Sequence, residues 1–283
     1  MKNLKSFLWS FCGCFFSALN DLLTKISGLS LPTEVVIFFR FTFGCIALIP
    51  LLDIRSLKSC CLYFHILRAL MWVIGIFLWA KGANYVPIYI LTIVSFLIPI
   101  FNIILARFFL GENIDFINIL LIFIAFLGII LTTTFSKIDI FGLVLLIIAD
   151  LLFSLLDLTN KILTDRKEPI INMLFLSNLF SSLLTFPFVW NSLLIPSTLE
   201  IGILIILSIS GNLILLCILR SFSLNSLSSI QYIRYLEFPI SCILSYFFFA
   251  DVPDIMSTLS CLVIISSSSA YYAYSARMIK RSV

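Results

Sequence analysis

Residues 227–249 read LSSIQYIRYLEFPISCILSYFFF. The run is long enough to span a bilayer, which takes about 20 mostly apolar residues as a helix. In its first half lie Gln231, Arg234 and Glu237, with Tyr232 and Tyr235 flanking the arginine. A charge at bilayer depth costs roughly 2.5–3.5 kcal/mol even on the lenient insertion scale. Two more arginines pose the same problem: Arg40 in VIFFRFTFG and Arg68 in YFHILRALMWVIG. Three such charges point to membrane helices packed around a polar interior.

Composition agrees. Of 283 residues, 61% are hydrophobic and only 11% charged, and mean hydropathy is +1.18. Soluble domains carry about 25% charged residues, so lipid must be the main solvent here. The opening MKNLKSFLWSFCGCFF has the look of a secretory leader, but no A-x-A-like cleavage site follows. It reads as the first membrane helix. The eight cysteines are scattered without metal-ligand spacing and read as small apolar helix residues. His65 is the single histidine, which excludes a multi-histidine metal site. No cofactor is expected.

Polar punctuation cuts the chain into ten apolar runs, at about 6–26, 34–52, 62–83, 87–109, 115–134, 140–163, 170–190, 199–222, 227–249 and 255–276. Prolines such as Pro32, Pro169 and Pro253 fall in or beside the gaps, and the gaps are short. Counted by side, twelve Lys and Arg accompany the N-terminal face and three (Lys25, Lys81, Lys137) the opposite face. The positive-inside rule then puts both termini in the cytoplasm.

The two halves repeat. Asp21-x-x-x-Lys25 matches Asp157-x-x-x-Lys161, Ala80-Lys81 matches Leu219-Arg220, and Gly111–Asp115 matches Ala250–Asp254, all at nearly one offset. Five runs per half is an odd number, so similar halves must insert with opposite topology. The expected fold is an all-α integral membrane protein with ten transmembrane helices in a 5+5 inverted-topology repeat, 1–136 and 137–283. Inverted repeats of this kind are a transporter architecture with the site near the midplane.

Helical spacing puts His65, Arg68, Trp72, Gly75 and Trp79 on one stripe. Arg68 is expected either to line a cavity or to snorkel to the headgroups. Arg40 lies six residues past Glu34, roughly 9 Å into the membrane. Arg234 and Glu237 are spaced to pair locally. Asp150, Ser154, Asp157 and Lys161 share a stripe; Asp157–Lys161 and Asp21–Lys25 read as gate pairs or as static ion pairs at helix ends. Asp150 is mid-helix with no local cation, a candidate proton or substrate-cation site. Thr92, Ser95, Pro99 and Asn102 share a face, where Pro99 frees a carbonyl. The candidate substrate site is Arg40, Arg68, Trp72, Asp150, Gln231, Tyr232, Arg234, Tyr235 and Glu237. The topology puts Arg40 toward the outer half and Arg68 and Arg234 toward the inner half, which argues against one fixed clamp. The serine run 266–269 reads as close helix packing or a homodimer contact.

These segments also resemble a known family. Ten helices, a five-plus-five repeat and a Gly-Glu at 111–112 resemble the drug/metabolite transporter superfamily, EamA type. Within it, NDLLTK at 20–25, FFRF at 38–41, HILRAL at 65–70, LDLTNK at 156–161 and YIRYLEFPIS at 232–241 are similar to the S-adenosylmethionine transporters of obligate intracellular bacteria. The resemblance implies uptake of S-adenosylmethionine across the inner membrane, in exchange for S-adenosylhomocysteine. Its partners would be that small solute and membrane lipid, not nucleic acid. Amino-acid or drug export on the same fold is the alternative reading. Enzymatic activity is not expected: His65 lies near a helix end with no evident nucleophile, and no phosphate-cradling loop or metal motif is present.

Overall fold

The computed structural model describes residues 2–28, 30–52, 62–86, 94–112, 116–130, 139–190, 196–249 and 255–281. Among them the chain is all-helical. The α-helices are α1 (Lys2–Ser27), α2 (Thr33–Leu48), α3 (Leu62–Ala83), α4 (Ile98–Phe109), α5 (Phe116–Ile130), α6 (Ile140–Asp165), α7 (Ile170–Val189), α8 (Thr198–Phe222), α9 (Gln231–Arg234), α10 (Glu237–Phe249) and α11 (Ile255–Arg281). Among the described residues six segments are long and apolar enough to cross a membrane: Leu4–Thr24, Thr33–Leu51, Leu62–Ala83, Ile140–Asp165, Ile170–Val189 and Thr198–Phe222. Side chains such as Phe108, Phe247 and Ile140 stand on the outside, a surface that suits acyl chains and not water.

Helix starts follow local chemistry. Asp139 caps α6 by accepting from the amides of Phe141 (2.8 Å) and Gly142 (3.1 Å). Ser197 and Glu200 form a capping box at the start of α8. Pro32 and Pro169 immediately precede α2 and α7, where a missing amide hydrogen costs little.

The main helix pairs join early and late parts of the chain: α1 with α8, α3 with α6, and α2 with α7. Small residues let these backbones approach. A Cβ on Gly142 would lie 2.5 Å from Tyr85 Cβ, and one on Gly82 would lie 2.9 Å from the Leu146 side chain. Hydrogen bonds between helices add to the packing. Asn212 donates to the Gly44 carbonyl at 2.9 Å, and Asn178 donates to Asn212 at 2.7 Å. The Ser221 hydroxyl meets those of Ser6 (2.8 Å) and Ser10 (2.6 Å).

The run 227–249 corrects one expectation: it is not a continuous helix. A 3-10 turn (Ser228–Ile230) leads into α9, the chain turns at Tyr235-Leu236, and α10 starts at Glu237. Pro239 accounts for the break, because it has no N–H for the Tyr235 carbonyl four residues back and its ring clashes with that carbonyl. Phe238 N–H reaches the same carbonyl instead, at 3.2 Å. A second break lies at Phe96-Leu97, just ahead of Pro99 and the start of α4. The two breaks meet. The rings of Phe96 and Tyr235 stack at 5.1 Å, and the Tyr235 hydroxyl donates to the Phe96 carbonyl at 3.1 Å.

Candidate functional site

Broken helices leave backbone and side-chain polar groups at membrane depth, which is tolerable only where protein or a wet cavity satisfies them. Around this crossing the polar side chains collect. Arg234, at the end of α9, donates to Asp157 on α6 at 2.5 Å. Asn102 on α4 donates to both Asp157 (2.9 Å) and Gln231 (3.0 Å). Gln231 in turn donates to the Leu227 carbonyl at 2.8 Å. Glu237, at the start of α10, accepts from Ser17 on α1 at 2.7 Å.

A cleft opens beside this network, between α1, α8 and the α9–α10 break. Cys14, Ser17, Ile214, Gln231, Arg234 and Glu237 are among its lining residues, and its empty volume, mouth included, is about 480 Å³.

The charges continue past the cleft. Asp21 on α1 lies within electrostatic reach of both Glu237 and Arg40. The Arg40 guanidinium stands 5.9 Å from the Trp72 ring centre, a cation–π arrangement. Arg40 is half-buried and Asp21 is exposed, and neither makes a hydrogen bond or close ion pair among the described residues. Gly211 on α8 makes the room: a Cβ there would sit 3.3 Å from both Nε and Nη2 of Arg40. Arg40 and Arg234 therefore stand at the two ends of one charged group, with the acids Asp21 and Glu237 between them.

Arg68 lies elsewhere and is wholly buried. Its Nη1 donates to His65 Nδ1 at 3.1 Å and to the Met173 carbonyl at 3.3 Å. Because arginine only donates, His65 Nδ1 is the acceptor and Nε2 carries the hydrogen, facing Glu168 Oε1 at 3.5 Å. Arg68 neither snorkels nor reaches the cleft.

Other expected pairs are replaced. Arg234 does not bond Glu237, because the broken helix between them removes regular i, i+3 geometry. Asp157 does not bond Lys161. The lysine points the other way along α6, to Asp165 (2.7 Å) and the Phe222 carbonyl (2.8 Å), since Asp157 already serves Arg234 and Asn102. The Lys25 side chain lies outside the described residues, and so does the Asp21–Lys25 pair. Tyr232 and Tyr235 are buried in the helix core. Asp150 is fully buried on α6, and neither carboxylate oxygen has a hydrogen-bond partner; Arg234 is the cation within its electrostatic reach. Trp72 packs against Phe41 and Phe153 as well as facing Arg40. Ser17 and Gly211 are additions to the expected site, and their signal in the sequence is weak, one small residue each inside an apolar run. Thr92, Asp251 and the Ser268 side chain lie outside the described residues. Among the described residues no cluster of His, Cys, Asp and Glu could hold a metal.

Known proteins share both sequence and shape with this chain. Residues 4–134 match the model of the EamA-like transporter family. An S-adenosylmethionine uptake transporter of Rickettsia bellii (strain RML369-C) is 35% identical over 94% of this chain and 92% of its own length. The protein of that name in Rickettsia prowazekii (strain Madrid E) is 33% identical over 96% and 93%. The pseudopaline exporter CntI of Pseudomonas aeruginosa PAO1 is 22% identical over 88% of this chain and 89% of its own. A protein known by its crystal structure superposes with a TM-score of 0.83 over 96% of this chain and 98% of that one at 14% identity, so the two share a fold.

Proposed function

The chain belongs to the EamA-like transporter family, and we propose that it imports S-adenosylmethionine across a bacterial inner membrane in exchange for S-adenosylhomocysteine. The observation that carries the substrate is the 35% identity over 94% of the chain to a relative of that name. A relative with another cargo, the pseudopaline exporter, matches at 22%.

The site chemistry supports the same reading. S-adenosylmethionine bears a carboxylate, an ammonium, a sulfonium and an adenine. Arg40 offers an unbonded guanidinium to the carboxylate, in the bidentate manner that arginine favours. Asp21 and Glu237 offer acids to the ammonium and sulfonium. Trp72, beside Arg40, offers an indole ring to adenine. Arg234 is held by Asp157 in this state, and a ligand carboxylate would have to displace that acid.

The reading includes the ten-helix architecture, with repeats 1–136 and 137–283 and both termini cytoplasmic. The pairing of α1 with α8 and α3 with α6 supports it, because an inverted repeat exchanges those two contacts. So do two proline-interrupted helices whose breaks meet, the arrangement expected at a transporter midplane. Exchange follows if the empty carrier reorients slowly and either nucleoside speeds it. One site can serve both, because they share adenine and amino-acid parts.

The test is uptake of labelled S-adenosylmethionine into liposomes holding the purified protein and preloaded with S-adenosylhomocysteine. Uptake that depends on preloading is expected. No uptake above empty liposomes would overturn the substrate, and equal uptake without preloading would overturn the exchange.

A further inference from the structure

The Gly-Glu pair at 111–112 has no part in the site as described, yet its carboxylate reaches the same broken helix. Gly111 follows α4 with φ +64°, a left-handed turn that glycine adopts without strain. The turn folds the chain back: Glu112 N–H donates to the Ala106 carbonyl at 3.2 Å, and the Glu112 carbonyl accepts from Arg107 at 3.3 Å. With its backbone held on both sides, the Glu112 carboxylate points at the segment leading into α9. Oε1 accepts from Leu227 N–H at 2.8 Å, and Oε2 accepts from Ser228 N–H at 2.9 Å and from the Ser228 hydroxyl at 2.5 Å.

These amides open the 3-10 turn that runs into Gln231–Arg234. A four-residue helix cannot hold itself, since nucleation costs more than so few hydrogen bonds return. Its position must come from outside. The same helix, α4, supplies both anchors: Glu112 just past its C-terminal end on residues 227–228, and Asn102 within it on Gln231. The two anchors grip the segment three to four residues apart, at Leu227-Ser228 and at Gln231. Two points tied to one rigid helix fix both the place and the direction of α9, and with them the reach of Arg234 to Asp157.

We propose that Glu112 is a positioning residue for substrate recognition: it sets the register of the broken helix so that Gln231 and Arg234 face the cleft. It touches no ligand itself. Its role in recognition rests on the transport reading, while its hold on the broken helix does not.

The first test needs no substrate. Amide hydrogen exchange is compared in detergent for the wild type, Glu112→Ala and Glu112→Gln. Faster exchange confined to residues 227–236 in the alanine variant is expected, with partial recovery in the glutamine variant, which keeps one acceptor. Unchanged exchange in that segment would overturn the proposal, and so would equal acceleration throughout the protein in both variants. The second test is concentration-dependent uptake in the preloaded liposomes. Glu112→Ala is expected to raise the half-saturating concentration about tenfold, the size of effect that losing a charge-assisted pair of hydrogen bonds produces. Glu112→Gln should recover part of it. Combined with Arg234→Lys, the alanine change should add less than its effect alone, because both act on one contact. A fall in maximal rate alone, or fully multiplying effects, would overturn it. If the wild type moves no S-adenosylmethionine, the substrate reading fails while the exchange measurement still decides the positioning role.

Discussion

Arg40 and Arg68 both stand as lone arginines in runs of aromatic and aliphatic residues, and they end in opposite situations. Arg68 is sealed, with His65, the Met173 carbonyl and Glu168 around it. Arg40 is only half-buried, with an aromatic face beside its guanidinium and an exposed acid nearby. A membrane arginine is therefore not by itself a site. What matters is whether protein has already taken its donors and covered them. Arg68 still leaves Nε and Nη2 unpartnered, but packed side chains close over them, so they weigh on stability and not on recognition.

Neutralising each arginine in turn should separate the two roles most widely. Arg40→Gln should lower S-adenosylmethionine uptake about a hundredfold or more, the scale of removing one partner from a desolvated charge pair, with unchanged yield and melting temperature. Uptake near the wild-type rate would end the assignment. Arg68→Leu should do the reverse. Leaving the buried His65 Nδ1 and Met173 carbonyl without their donor costs about 1–3 kcal/mol each, which lowers the melting temperature by several degrees, while the surviving folded protein keeps its half-saturating concentration. A thermal unfolding series in detergent, paired with uptake, reads both.

Smaller changes probe the surroundings of the open arginine and of a closed pair. Gly211→Ala places a methyl 3.3 Å from the Arg40 guanidinium; a several-fold weaker half-saturation without loss of stability is expected, about 1 kcal/mol of displaced contact. A variant that binds as well as the wild type would show that the Arg40 side chain moves freely. Lys161→Met is the smallest. Its partner Asp165 is half exposed, with 53% of the side chain accessible, and such pairs contribute about 0–1 kcal/mol. Uptake within about twofold of wild type is expected, and a large loss would give Lys161 a gating role after all.

Much of the architecture is legible in the sequence because lipid is a demanding solvent. Long apolar runs must be helices, so α1, α2, α3, α6, α7 and α8 fall close to the runs that hydropathy marks. The break at Tyr235-Leu236 is harder to read, although Pro239 stands in the quoted stretch. An apolar run with an internal proline is compatible with a kinked continuous helix as well as a broken one, and packing against Phe96 selects the second. The cost of charge in hydrocarbon marks Arg234 and Glu237 as site residues, and they line the cleft. Their partners are not legible in the same way. Spacing along one helix suggests Glu237 for Arg234 and Lys161 for Asp157, but the short contact of Arg234 crosses 77 positions of sequence to Asp157.

The solvent, the helical class and the list of side chains too costly to ignore all follow from the chain's composition and order of residues. They need nothing more, because every backbone group within a bilayer must be satisfied locally. Which of those costly side chains are already paired is settled only in the folded molecule. Pairing depends on what distant parts of the chain bring within a few ångströms. Asp157 reaches Arg234, Met173 closes over Arg68, and Gly211 leaves space beside Arg40.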